Sequence, residues 1–183
     1  MRDASATVNL DRARYSTSPF LSRWPLSHFP ITAQAMPQLF VIGDWQRSEM
    51  SPIRDWVNAV GSQAIVRQFS DLPDDALLEP PDLVVVCQSW PDEFPASEVS
   101  SALGRWPLAL WACGYGAWCD SDGRTRSIWP ISVRVPIGEA ESRLNHLWRI
   151  VTQHDGEPLP LTASRDEAFA FDQCDTNLFG RKP

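Results

Sequence analysis

No stretch of the chain approaches the ~20 consecutive apolar residues that a membrane span requires. The N-terminus has no apolar core of signal-peptide type, and Asp3 and Asp11 are out of place in a transit peptide. Membrane partners are therefore not expected, and a cytoplasmic protein is the default expectation. A surplus of positive charge is also missing. Lys and Arg number 16 against 23 Asp and Glu, a formal net charge of −7. Duplex DNA carries one negative charge per about 1.7 Å, so the whole-molecule field opposes it and nucleic acid is not an expected partner. The four cysteines, Cys87, Cys113, Cys119 and Cys174, form no CxxC pair, which removes the usual zinc pattern. No metal or cofactor is expected, and no internal repeat is visible.

Familiar catalytic patterns are equally scarce. The three histidines are scattered at His28, His146 and His154. A Ser/His/Asp triad would have to recruit Ser89 with His146, from a helix that normally packs away from that rim. The GYG run at 114–116 lacks GxGxxG or GxxxxGK spacing. The acidic DLPDD run at 71–75 is most simply a solvated helix start. The expectation is a protein without enzymatic activity.

What is present is enough for a core. A chain of 183 residues with 43% hydrophobic and 21% charged residues suits one globular domain with extensions. Residues 1–36 carry Ser, Thr, Arg and Pro without sustained periodicity and read as a disordered leader. Met36 stands just ahead of the first strand pattern and is an alternative start. Residues 37–155 carry the domain. Residues 156–183 read as an irregular tail in which SRDEAFAFD is expected to form one helical turn or a short docking strand.

Between these ends strand and helix patterns alternate. QLFVIG is a short apolar run. In SPIRDWVNAVG, Ile53, Trp56, Val57 and Val60 fall at i, i+3, i+4 and i+7, one face of a helix. Ser51 is the expected N-cap, Pro52 the first helical residue and Gly61 the C′ residue. AIVRQF predicts a second strand and DLPDDALLE a short helix. DLVVVC is apolar nearly throughout, as in a parallel strand covered on both faces, and PASEVSSALG predicts the next helix. LALWAC and ISVRV are the fourth and fifth strands. GEAESRLNHLWRIV places Ala140, Leu144, Leu147, Trp148 and Val151 on one stripe. The segment between strands four and five is too polar and Gly-rich for an ordinary crossover helix, which is expected to be short or missing. Such alternation implies a three-layer α/β domain with a five-stranded parallel sheet in the order 2-1-3-4-5.

From about Gln38 to Gln153 the chain resembles the CheY-like receiver domains of two-component response regulators. The resemblance rests on the element order, on PDLVVVC at 81–87 with a following proline, and on VRVP at 133–136 ahead of the last helix. It implies a phosphorylation site at the carboxyl ends of the strands, but the residues have changed. The family's acidic pair falls on Gly43 and Asp44, its phosphoacceptor aspartate on Cys87, its hydroxyl on Ala112 and its lysine on Val135, with Pro136 retained. One carboxylate is a poor basis for a Mg²⁺ site. A thiol in an apolar strand is a poor nucleophile, and without the lysine nothing stabilises the phosphoryl oxygens. The resemblance therefore implies a pseudo-receiver whose aspartyl phosphorylation has been lost.

In an open α/β sheet, ligands settle outside the carboxyl ends of the strands. Asp44, Trp45, Gln88, Ser89, Trp90, Gly114, Tyr115 and Gly116 are predicted there and form the candidate binding rim. Of nine tryptophans, Trp56, Trp111 and Trp148 lie on core stripes, whereas Trp45, Trp90 and Trp118 sit in loops. Two readings follow. The rim is a surface for an unidentified protein partner, since Trp, Tyr and Arg are favoured at hot spots and Arg124 and Arg126 lie in the adjacent loop. Alternatively it binds a planar flavin or nucleotide, as flavodoxins of the same topology do, with Trp90 and Tyr115 at the aromatic positions. Asp44 and Glu49 oppose a phosphate in that second reading.

Overall fold

The computed structural model describes residues 35–75, 77–119 and 128–176. Most of the predicted leader, together with Arg124 and Arg126, lies outside the described residues. Among the described residues nine α-helices and strands follow in chain order. They are β1 (Gln38–Gly43), α1 (Ser51–Val60), β2 (Ile65–Phe69), β3 (Leu83–Gln88), α2 (Ala96–Arg105), β4 (Leu110–Tyr115), β5 (Arg134–Pro136), α3 (Ala140–Gln153) and α4 (Arg165–Thr176). The five strands form one sheet in the order β2-β1-β3-β4-β5, and every neighbouring pair is parallel. This is the flavodoxin-like α/β arrangement expected from the alternating pattern. Every residue of β3, and all of β1 after Gln38, is buried, which is why both runs are apolar without alternation.

Two cores flank the sheet. On one face Ile53, Trp56 and Val57 of α1 and Leu144, Leu147 and Trp148 of α3 pack over Leu39, Val41, Leu83 and Val85. Trp56 meets Trp148 edge-on at 5.9 Å, and its indole N–H donates to Asn145 Oδ1 at 3.0 Å. Both predicted helical stripes therefore face the sheet, with only Val151 of those residues less than fully buried.

The other face is built differently. Among the described residues only α2 contributes a helix there, through Val99 and Ala102. Aromatic rings from the strands and from the connecting segments fill much of this face. Phe69, Phe40, Trp106, Trp111, Trp129 and Phe94 follow one another ring to ring at 5.0–6.3 Å, with Leu72, Leu78, Ile128 and Val133 in the same cluster. Each such ring buries ~150–250 Å².

Three local expectations need correction. The predicted helix in 71–79 does not form among its described residues. Pro73 disfavours helical geometry at Leu72, and Asp75 Oδ1 takes the Leu77 amide at 2.8 Å in a local turn. Arg105 at the end of α2 holds this segment instead, donating to the Pro73 carbonyl and the Asp74 carboxylate. At α1, Ser51 is the first helical residue and Met50 the cap, because a 3-10 turn over Ser48–Met50 leads into the helix. Gly61 keeps right-handed geometry at φ −59° and continues into a second 3-10 turn.

The third correction concerns the tail, which is not irregular throughout. Ser164 and Glu167 form a reciprocal cap, with the Ser164 amide donating to Glu167 Oε2 at 2.7 Å and the Glu167 amide to Ser164 Oγ at 3.3 Å. The twelve-residue α4 follows. It docks on α3 through Arg143, which is only 4% exposed. That guanidinium makes a bidentate pair with Asp172, donates to the Ser132 carbonyl at 2.9 Å and lies 5.0 Å from the Phe171 ring. His146 stacks on the same ring at 4.1 Å. Because Arg143 falls beside the apolar stripe of α3, periodicity alone gave no reason to bury it.

Candidate functional site

Parallel pairing brings four residues into one row at the carboxyl edge. Gly43 lies opposite Cys87, Cys87 opposite Gly114, and Gly114 opposite Val135. The β4 position level with Cys87 is thus Gly114, two residues beyond the Ala112 matched by resemblance. Neither residue carries a hydroxyl.

Packing closes this row from within. Gly43 has φ +90°, and a Cβ there would run into the Cys87 carbonyl. A Cβ on Gly114 would meet the Ile53 side chain, and one on Gly116 would lie 2.7 Å from Glu49 Oε2. The glycines predicted to line the rim make room for the chain's own side chains. Cys87 beneath them is fully buried. Burial, reinforced by the Glu93 and Asp44 carboxylates, pushes its thiol up to about 12. Burial likewise holds the Cys113 thiol well above its usual value, with the neighbouring Cys87 and Cys119 adding to the effect. These thiols stay neutral and behave as small apolar groups.

The edge retains a second carboxylate that the sequence reading missed. After Asp92, which takes φ +60°, the chain turns so that Glu93 Oε2 accepts the amides of Ser89 at 2.6 Å and Trp90 at 3.2 Å. A carboxylate of this chain therefore occupies the amide donors at the end of β3. The left-handed turn at Asp92 precedes these contacts, and composition gives no sign of it. Among the described residues no group of three or more His, Cys, Asp or Glu is placed to hold a metal ion.

Gln88 and Ser89 point inward. Gln88 is 3% exposed. Its Oε1 accepts from Trp129 Nε1 at 2.9 Å, its Nε2 donates to the Trp90 carbonyl at 3.0 Å, and its backbone carbonyl accepts the Gly116 amide at 3.0 Å. It ties β3 to β4 and to the Trp129 segment. The Ser89 hydroxyl is fully buried and finds no hydrogen-bond partner among the described residues. Tyr115 is half-buried, with the Arg134 guanidinium 4.9 Å from its ring.

The remaining rim residues divide. Asp44 and Trp45 border an open cleft of about 370 Å³ over β1 and β2, whose wall also includes Phe69 and Glu93; Trp45 packs partly into the α1 side of the core. Trp90 turns the other way and stacks on Trp118, with centroids 6.1 Å apart and planes 25° apart. On the Trp90 ring lies the Arg47 guanidinium at 5.4 Å, itself 3.1 Å from Asp44 Oδ2. Arg47 and Trp118 thus both lie against the Trp90 ring at the surface. Trp90 is 46% and Trp118 67% exposed.

Arg47, Glu93 and Trp129 are the residues at this edge that sequence reasoning left out; Arg47 and Trp129 act through contacts between separate segments, and Glu93 through a turn within its own loop. No protein-family model matches the chain, and neither does any curated protein or solved structure.

Proposed function

We propose that this chain is a non-catalytic, receiver-like domain that acts in phosphorylation-independent regulation by binding a protein partner. The observation that carries this reading is the contrast within one edge. The Gly43–Cys87–Gly114–Val135 row is closed by the Cys87 carbonyl and by Ile53, while Trp90 and Trp118 stand stacked and exposed beside it. Exposed tryptophan backed by arginine is the composition of interface hot spots. The flavin or nucleotide reading gains nothing here. Trp90 is paired with Trp118, Tyr115 with Arg134, and carboxylates already occupy the edge.

Affinity capture from source-cell extract tests the reading, comparing the wild type with a Trp90→Ala/Trp118→Ala variant and a Leu108→Ala control. Leu108 is exposed and lies at the opposite end of β4. Partners retained by the wild type and the control but lost by the double variant are expected. Identical capture by all three proteins would remove the rim from any binding role.

A further inference from the structure

The Trp90–Trp118 stack stands in an acidic setting. Asp44, Glu49, Asp92 and Glu93 at this edge outnumber the described cations Arg47, Arg54 and Arg134. Arg54 donates to the Gln46 carbonyl at 3.0 Å, and the other two are already laid on aromatic rings, Arg47 on Trp90 and Arg134 on Tyr115. The edge is therefore a set of electron-rich ring faces bordered by carboxylates, and guanidinium is the group it already selects twice from its own chain. Trp90 meets one face of Trp118, and the Trp118 ring is two-thirds exposed.

The neighbouring cleft has the same character. Asp44 and Glu93 border it together with Trp45 and Phe69. It is continuous with the stack, because Arg47 joins Asp44 to Trp90 and Glu93 accepts the Trp90 amide.

We infer that this surface docks an arginine-bearing polypeptide segment, one guanidinium extending the stack over Trp118 and a second basic side chain entering the Asp44–Glu93 cleft. Arginine is favoured over lysine because its planar, weakly hydrated head stacks on indole, whereas ammonium stays hydrated. An acidic or phosphorylated segment would meet like charge and be rejected. The inference rests on the interaction reading above and specifies the chemistry of the partner.

Fluorine NMR of full-length protein labelled with 5-fluorotryptophan tests it, with the Trp90 and Trp118 resonances assigned by single Trp→Phe variants. Three synthetic peptides of one scaffold, carrying two arginines, two lysines or two glutamates, serve as probes. The expected result is a saturable shift of these two resonances with the arginine peptide. Binding should be about two- to fivefold weaker per arginine replaced by lysine, and absent with glutamate. Trp118→Ala should abolish the response at Trp90, and Asp44→Asn should weaken it.

No shift with any peptide, equal response to the glutamate peptide, equal affinity for lysine, or shifts confined to other tryptophans would each overturn the inference. If the arginine peptide fails while partner capture still depends on Trp90 and Trp118, only the partner chemistry falls. If both fail, the interaction reading falls with it.

Discussion

Gly43 and Cys87 face each other across β1 and β3, and the φ of +90° at Gly43 aims its missing side chain into the Cys87 carbonyl. Graded costs follow for alanine substitutions along the row. Gly43→Ala combines a disfavoured φ with a backbone collision and should cost about 3 kcal/mol or more. Gly114→Ala pushes on the end of Ile53, an overpacking of about 1–3 kcal/mol, and Ile53→Val should partly rescue it. Gly116→Ala meets only the movable end of Glu49 and should cost least. Urea melts of the four proteins check this order.

The neutral, buried thiols predict chemical silence. In a Cys174→Ser background, Cys87, Cys113 and Cys119 should resist an aromatic disulfide reagent in the native state and react together on unfolding. The raised Cys87 value also fixes a sign. The folded state holds this proton more tightly than the unfolded state, so its contribution to stability is complete below pH 9. That contribution is lost as pH rises toward about 12. A native-state thiol reacting at neutral pH would show that the edge opens.

Ser89→Ala separates a structural hydroxyl from a binding one. An unpaired buried hydroxyl carries a desolvation cost of about 1–3 kcal/mol, so alanine should leave the melting temperature unchanged or raise it. A clear loss of stability would mean that the hydroxyl has a partner.

The docking of α4 should depend on one guanidinium. Arg143→Met removes the partner of Asp172 and the donor to Ser132, and breaking such a pair costs about 3 kcal/mol, somewhat less where Asp172 is solvated. Hydrogen exchange should report the release of 165–173 before global unfolding. Acid should act on the same helix. The amide and hydroxyl of Ser164 hold Glu167 below the ordinary value of 4.5. The cap is therefore intact above that pH and weakens as pH falls through the lowered value. Protection of α4 that does not change with pH in this range would contradict the capping box.

Most of the fold was legible because it is periodic. The apolar runs of β1 and β3, and the stripes Ile53–Val60 and Ala140–Trp148, state their burial in the order of residues. The misses are the features that depend on residues distant in sequence or on a single unusual dihedral. Pro73 and the side chain of Asp75 override the helical composition of 71–79. Arg143 finds Asp172 across 29 positions. Trp129, which no periodic pattern marks, is placed by its indole N–H on Gln88. At the rim, residue type says only that Trp90 and Tyr115 stand at the ends of β3 and β4. It could not tell that Gln88 and Ser89 turn inward, or that Glu93 folds back onto the β3 amides.

The central claim, that this edge works without phosphorylation, is tested most directly by Cys87→Asp incubated with acetyl phosphate and Mg²⁺ and read by intact-protein mass spectrometry beside its melting temperature. Restoring the carboxylate alone leaves Gly43, Gly114 and Val135 in place, Glu93 on the β3 amides, and a charge where the wild type is fully buried. The account predicts no phosphoryl adduct and a destabilisation of about 3–5 kcal/mol, that of a buried, unpaired charge. Stoichiometric, Mg²⁺-dependent labelling of a stably folded variant would contradict it.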